Sequence, residues 1–167
     1  MSLQDPHAAQ WAFMNLSDRG VATVLVPLDG TNSVPIQERL LDGLRNMPMT
    51  PEAELTGRLM ENLRATWFEP DIFFESAFLW DPSAAIAALH PDVVKVSSDR
   101  HIRAVFEDGP DGPQQGWTKP CAATEIEDDL CALMTVVSGM DPDAVTDVLM
   151  NTLMDPAGSA ERGLSCL

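Results

Sequence analysis

Four carboxylates within about one helical turn, Glu125, Glu127, Asp128 and Asp129, form the densest group of charge in this chain. Acids in that number suit two chemistries: holding a hard cation, or presenting an anionic patch to a cationic surface. On a helical wheel they spread, with Asp128 opposite the apolar stripe and Glu127 and Asp129 flanking it. No oxygen-ligand loop with its glycine surrounds them, so no metal is expected. Acids in a first turn also complement the helix dipole. Asp128 is therefore assigned to a partner-facing surface.

A second constellation lies in the segment 142–154. Val145, Val148, Leu149 and Leu153 make its apolar stripe, and the other side carries Asp143 and Asp147 together with Met150 and Met154. Two like charges at i,i+4 repel, so the helix gains nothing from them. Methionine adapts to varied shapes and is frequent on binding surfaces. Asp143, Asp147, Met150 and Met154 are thus expected to seat a partner offering basic and apolar groups, unless the methionines pack under another helix.

Nucleophile chemistry finds less support. Cys121, Cys131 and Cys166 are an odd number at spacings that match no zinc or redox motif, and reduced thiols in a cytoplasmic protein are expected. A dyad of Cys121 with His101 or His90 has no local signature. The chain contains no G-x-S-x-G elbow, no H-E-x-x-H and no G-x-G-x-x-G. Asp29-Gly30-Thr31-Asn32 is a turn after a strand without the further Gly and Lys of a phosphate site. No cofactor is expected. Six of the ten aromatic residues fall between Trp67 and Trp80, where they either build core or wall a ligand pocket.

The charge balance sets the sign of any partner. Between Glu107 and Glu161 stand twelve carboxylates and one basic residue, Lys119, and the net charge is −16. Such a surface repels phosphate backbones and anionic lipid, which argues against direct nucleic-acid or membrane binding. It favours a basic protein partner. No run of residues approaches the length of a membrane span.

The elements that must position these groups follow from caps and periodicity. Asp5-Pro6, Thr50-Pro51, Asp81-Pro82 and Asp141-Pro142 each place a cap oxygen ahead of Pro at the first helical position. Thr124 to Glu127 reads as a capping box. Helices are expected near 6–17, 35–46, 51–67, 82–89, 125–138 and 142–154, the last two as an αα-hairpin spanning 124–155. Strands are expected at 21–26 (central and buried), at 71–80, as a hairpin of 93–97 with 102–107, and as an edge at 115–121. Glu107 to Gly116 reads as a flexible acidic loop.

Together these predict a single α+β domain over residues 1–167. It would hold a small, mostly antiparallel sheet of four to five strands packed by about six helices. The functional expectation is a non-enzymatic acidic inhibitor or regulator occupying a basic surface of another protein, in its sharpest form a nucleic-acid-binding groove. An acidic chaperone or adaptor is the second reading. A small enzyme or ligand-binding module, with its pocket walled by residues 67–80, is the third.

Overall fold

The computed structural model describes residues 5–46, 50–66, 73–107, 114–127 and 130–154. In chain order they form α1 (Pro6–Asp18), β1 (Val24–Leu25), α2 (Leu28–Thr31), α3 (Glu38–Asn46), α4 (Pro51–Thr66), α5 (Phe73–Ser76), α6 (Trp80–Leu89), a 3-10 turn (Pro91–Val93), β2 (Val94–Ala104), β3 (Thr118–Pro120), α7 (Ala123–Glu127), β4 (Ala132–Met140) and α8 (Pro142–Met154). The fold is α+β with a four-stranded mixed sheet. The chain gathers into two compact units, Met1–Leu25 with Ser97–Val137, and Val26–Val96 with Ser138–Leu167.

The first unit is built on the sheet, in the order β1-β4-β2-β3. β1 runs parallel to β4, with Val24 opposite Thr135, and β2 runs antiparallel to β3, with Arg103 opposite Lys119. Phe13 and Met14 of α1 pack on Ile102, Ala132 and Met134, joined by Leu25 and Val136. Asp5 caps α1 by accepting from the Ala8 amide, and Gly20, at φ +67°, closes it. Gln10 ties α1 to β2, its side-chain oxygen accepting from the Ala104 amide and its Nε2 donating to the Leu130 carbonyl.

Three expectations fail here. Residues 132–140 form a strand, so the helical hairpin of 124–155 does not exist and Gly139 closes no helix. The run Ala132 to Val137 satisfies a helical stripe and a period of two at once. Its β-branched Thr135, Val136 and Val137 favour the strand, with Ala132 and Met134 inward and Leu133 outward. β1 is an edge of two residues, not a buried central strand, and Val24 is exposed. Residues 93–107 form no hairpin, because Ser98-Asp99-Arg100 lacks the residues a tight reversal requires and continues as strand β2. The edge strand at 115–121 appears as β3. Residues 108–113 of the acidic loop lie outside the described residues.

The second unit is largely helical. Val34, Leu40, Leu41, Phe73, Val93 and Val145 are fully buried in it. Thr50 caps α4, its hydroxyl accepting from the Ala53 amide while donating to the Leu153 carbonyl at the end of α8. Asp141 caps α8 through the Asp143 and Ala144 amides and pairs with Lys95 at 3.2 Å. The helix expected at 82 begins at Trp80 with no side-chain cap; Pro82 still falls in the first turn, where its missing N–H is tolerated. The strand expected at 71–80 is instead the short helix α5 followed by a bridge between Pro35 and Phe78. Residues 71 and 72 of that stretch, and residues 67–70 before it, lie outside the described residues.

Candidate functional site

Within the second unit, two chain segments far apart in sequence are locked edge to edge. The Leu79 amide donates to Val34 and the Ile36 amide donates to Ala77. One strand-like crossing thereby sets Asn32, just before it, beside Trp80, just after it. The indole Nε1–H donates to Asn32 Oδ1 at 2.9 Å.

The α2 side of this junction is held from below. Ser33 Oγ donates to the Gly30 carbonyl at 2.6 Å and accepts from the Met140 amide at 2.9 Å. Gly30 and Thr31 are buried, whereas Leu28, Asp29 and Asn32 face solvent. On the other side, Trp80 opens α6 with 43% of its surface exposed and Asp81 follows it in the first turn. The Phe78 ring lies 6.3 Å from the indole, tilted by 39°.

The junction therefore offers a flat aromatic surface and an oriented side-chain amide, with two exposed carboxylates, Asp29 and Asp81, close to it in sequence. A ring with polar edges stacks on the first and hydrogen-bonds the second, while hydroxyl groups donate to the third. Among the described residues, no three His, Cys, Asp or Glu side chains gather as a metal ion would require.

The residues singled out from sequence go elsewhere. Asp143 and Asp147 both pair with Arg39 of α3, Asp143 at 3.3 Å. Gln37 Nε2 also donates to Asp143, at 3.0 Å. The two carboxylates, Asp147 foremost, push the Arg39 guanidinium pKa upward. Met150 and Met154 lie against Gly43, where an added Cβ would stand 2.5 Å and 3.4 Å from their methyl carbons. The acidic and methionine-bearing side of α8 thus finds its basic and apolar complement on α3 of the same chain. Asp128 lies outside the described residues.

Cys121 and Cys131 are joined in a disulfide, which corrects the expectation of reduced thiols at these positions and removes the proposed Cys121 dyads. Cys121 directly follows β3 and Cys131 directly precedes β4, so the sheet brings both sulfurs to one end. Between them Glu125 reaches back toward the start of α7, accepting from the Ala122 amide at 2.8 Å. Cys166 lies outside the described residues.

Sequence reasoning passed over Asn32 and Trp80. The signal available was a polar turn after a strand, Asp29 to Asn32, and an aromatic placed immediately before an Asp-Pro helix start. Neither indicates contact across 48 positions.

No protein-family model matches the chain. It is 37% identical to nucleoside hydrolase 3 of Arabidopsis thaliana over 86 residues, which cover 51% of this chain and 9% of that protein. Among solved structures it is similar to a purine-preferring ribonucleoside hydrolase from Gardnerella vaginalis, with a TM-score of 0.64 and 20% identity over 90% of this chain and 44% of the other. A plant nucleoside hydrolase, PpNRh1, gives a TM-score of 0.64 and 18% identity over 90% of this chain and 46% of the other. The chain thus spans less than half the length of these structures.

These likenesses are to enzymes named for acting on nucleosides. They overturn the expectation of a non-enzymatic inhibitor, regulator or chaperone seated on a basic protein partner. The acidity that prompted it is partly consumed by ion pairs inside the chain, as at Arg39. Among the described residues no helix is long and apolar enough to cross a membrane.

Proposed function

We propose that this chain acts in the hydrolysis of nucleosides, cleaving the N-glycosidic bond between a nucleobase and its ribose, and that the Asn32–Trp80 face holds the substrate. The observation that carries the reading is the 37% identity to a nucleoside hydrolase over half of the chain. The third reading of the sequence, a ligand-binding module with residues 67–80 in its wall, is the one this continues; Trp80 ends that stretch.

In the reaction, water adds its oxygen to ribose C1′ as the C1′–N bond breaks. One proton of that water passes to the departing base nitrogen, giving ribose and free base. Positive charge develops on the sugar in an oxocarbenium-like transition state, and nearby carboxylates stabilise such charge more than they stabilise the ground state. Asp29 and Asp81 take that role in the proposal, accepting also from ribose hydroxyls. The Trp80 indole stacks the base, an interaction worth about 1–3 kcal/mol.

The test is incubation of the full chain with inosine, guanosine, adenosine, uridine and cytidine. Free base is followed by chromatography and ribose by reducing-sugar assay. Release from at least one nucleoside is expected, and Trp80→Ala should weaken its binding by roughly 5- to 150-fold, the equivalent of that stacking energy. Neither release nor binding with any of the five would end the proposal.

A further inference from the structure

The hydrogen bond between Trp80 and Asn32 fixes which end of the amide meets a ligand. An indole N–H only donates, so the atom it touches at 2.9 Å has to be the amide oxygen. The NH2 group, with its two donors, belongs to an exposed residue and makes no hydrogen bond among the described residues. A free asparagine reads adenine by pairing its oxygen with the exocyclic amine and its nitrogen with N7. Here one of the oxygen's two lone pairs is already taken by the indole, whereas both donors of the NH2 group remain to be met.

We infer that Asn32, clamped by the Trp80 indole, is a specificity-determining residue that reads a carbonyl oxygen on the base. Bases with an oxo group opposite the glycosidic side, such as hypoxanthine, guanine and uracil, are favoured over their amino counterparts. This rests on the nucleoside-hydrolase reading above. A base stacked on the indole brings its edge toward the neighbouring amide. An oxo group there accepts from Nδ2, whereas an amino group sets donor against donor and leaves both unpaired. Sites that read a group by hydrogen bonding discriminate strongly, because the wrong ligand strands polar atoms.

Trp80 thus has two separable effects. Its ring supplies stacking to any base, and its N–H supplies orientation to Asn32. Phenylalanine retains a ring and lacks the N–H, so Trp80→Phe isolates the second effect. Asn32→Asp keeps the shape of the side chain and replaces the donor end with an acceptor.

Calorimetric titration of the full chain with inosine and adenosine, which differ in the group at position 6, tests the assignment. The unmodified chain should bind inosine at least ten-fold more tightly, a difference of about 1.4 kcal/mol. In Trp80→Phe the ratio should fall to within about three-fold, because the amide is then free to turn. In Asn32→Asp the ratio should fall below one. Equal affinities in the unmodified chain, or a ratio unchanged in both variants, would overturn the role of Asn32 while leaving the nucleoside reading intact. Binding of neither nucleoside would overturn the role of Asn32, and would remove the nucleoside reading as well only if guanosine, uridine and cytidine also showed neither binding nor release.

Discussion

The two units differ in what closes them. The first packs one helix on a small sheet, and its buried cluster is Ile102, Ala132 and Met134. A disulfide from Cys121 to Cys131 closes that sheet's end, and Glu125 between the two cysteines pairs with Arg103 at 2.8 Å and Lys119 at 3.9 Å. The second unit has larger side chains fully out of water, Phe73, Leu40 and Leu41 among them, and shows no disulfide among its described residues. Small apolar cores gain most from covalent closure, because little burial offsets the entropy of the loop. The contrast also bears on chemistry. The oriented amide and the exposed indole sit on the better-packed unit, where hydrogen bonds from Ser33 and Val34 hold their backbone in place.

If packing dominates the second unit, its largest vulnerability is Phe73. Its side chain is fully buried, with the Phe74 ring edge-on at 5.3 Å and the Arg64 guanidinium 5.9 Å above it. Phe73→Ala should cost about 3–5 kcal/mol, the usual range for emptying such a site. Urea unfolding followed by hydrogen exchange should register the loss at α3 and α8 amides. A cost under 1 kcal/mol would mean that the second unit is not held by its core.

The matching test of the first unit is removal of the disulfide. For a loop of ten residues, chain entropy gives about 2.5–3 kcal/mol. Cys121→Ser with Cys131→Ser should therefore cost somewhat less than Phe73→Ala. The loss should appear as faster exchange at Thr118 to Cys121, with α8 amides unchanged. Alkylation counts the thiols directly. Without reductant one of the three cysteines should react, and after reduction all three. Three reactive thiols at the outset would dissolve the contrast between the units.

Much of the second unit was legible. Thr50-Pro51 and Asp141-Pro142 announce α4 and α8 because a cap is a local device, complete within four residues. Within the helix expected at 35–46, Leu40 and Leu44 stand one turn apart on one side, and both are buried. The first unit was legible only in part. Residues 132–137 satisfy two periodicities, and the deciding influence, pairing with β1, lies more than a hundred positions away. Connectivity among three cysteines does not follow from their spacing. The charge was read correctly in sign and wrongly in destination: Asp143 and Asp147 meet Arg39, which sequence places on a different helix without saying that the two touch. The site was least legible of all, because Asn32 and Trp80 become neighbours only through the pairing of residues 34–36 with 77–79.

Acid titration gives the finest comparison, since among the described residues each unit contains one carboxylate held below its ordinary pKa. Glu125, ordinarily at 4.5, is lowered first by the Ala122 amide and then by Arg103 and Lys119. Asp141, ordinarily at 3.8, is lowered first by the Ala144 amide and then by Lys95. A carboxylate with a depressed folded-state pKa contributes stability that is complete above its unfolded value and disappears as pH falls through the folded one. The first unit should therefore begin to loosen as pH drops below 4.5, and the second only as it drops below 3.8. Exchange at Ala122 should accelerate before exchange at Ala144, and 1 M salt should reduce the size of both steps by screening Arg103 and Lys95. Glu125→Gln and Asp141→Asn should each abolish the corresponding step alone. Simultaneous onset in the unmodified chain would show that other carboxylates govern acid sensitivity, and the difference between the two units would then reduce to packing and the disulfide.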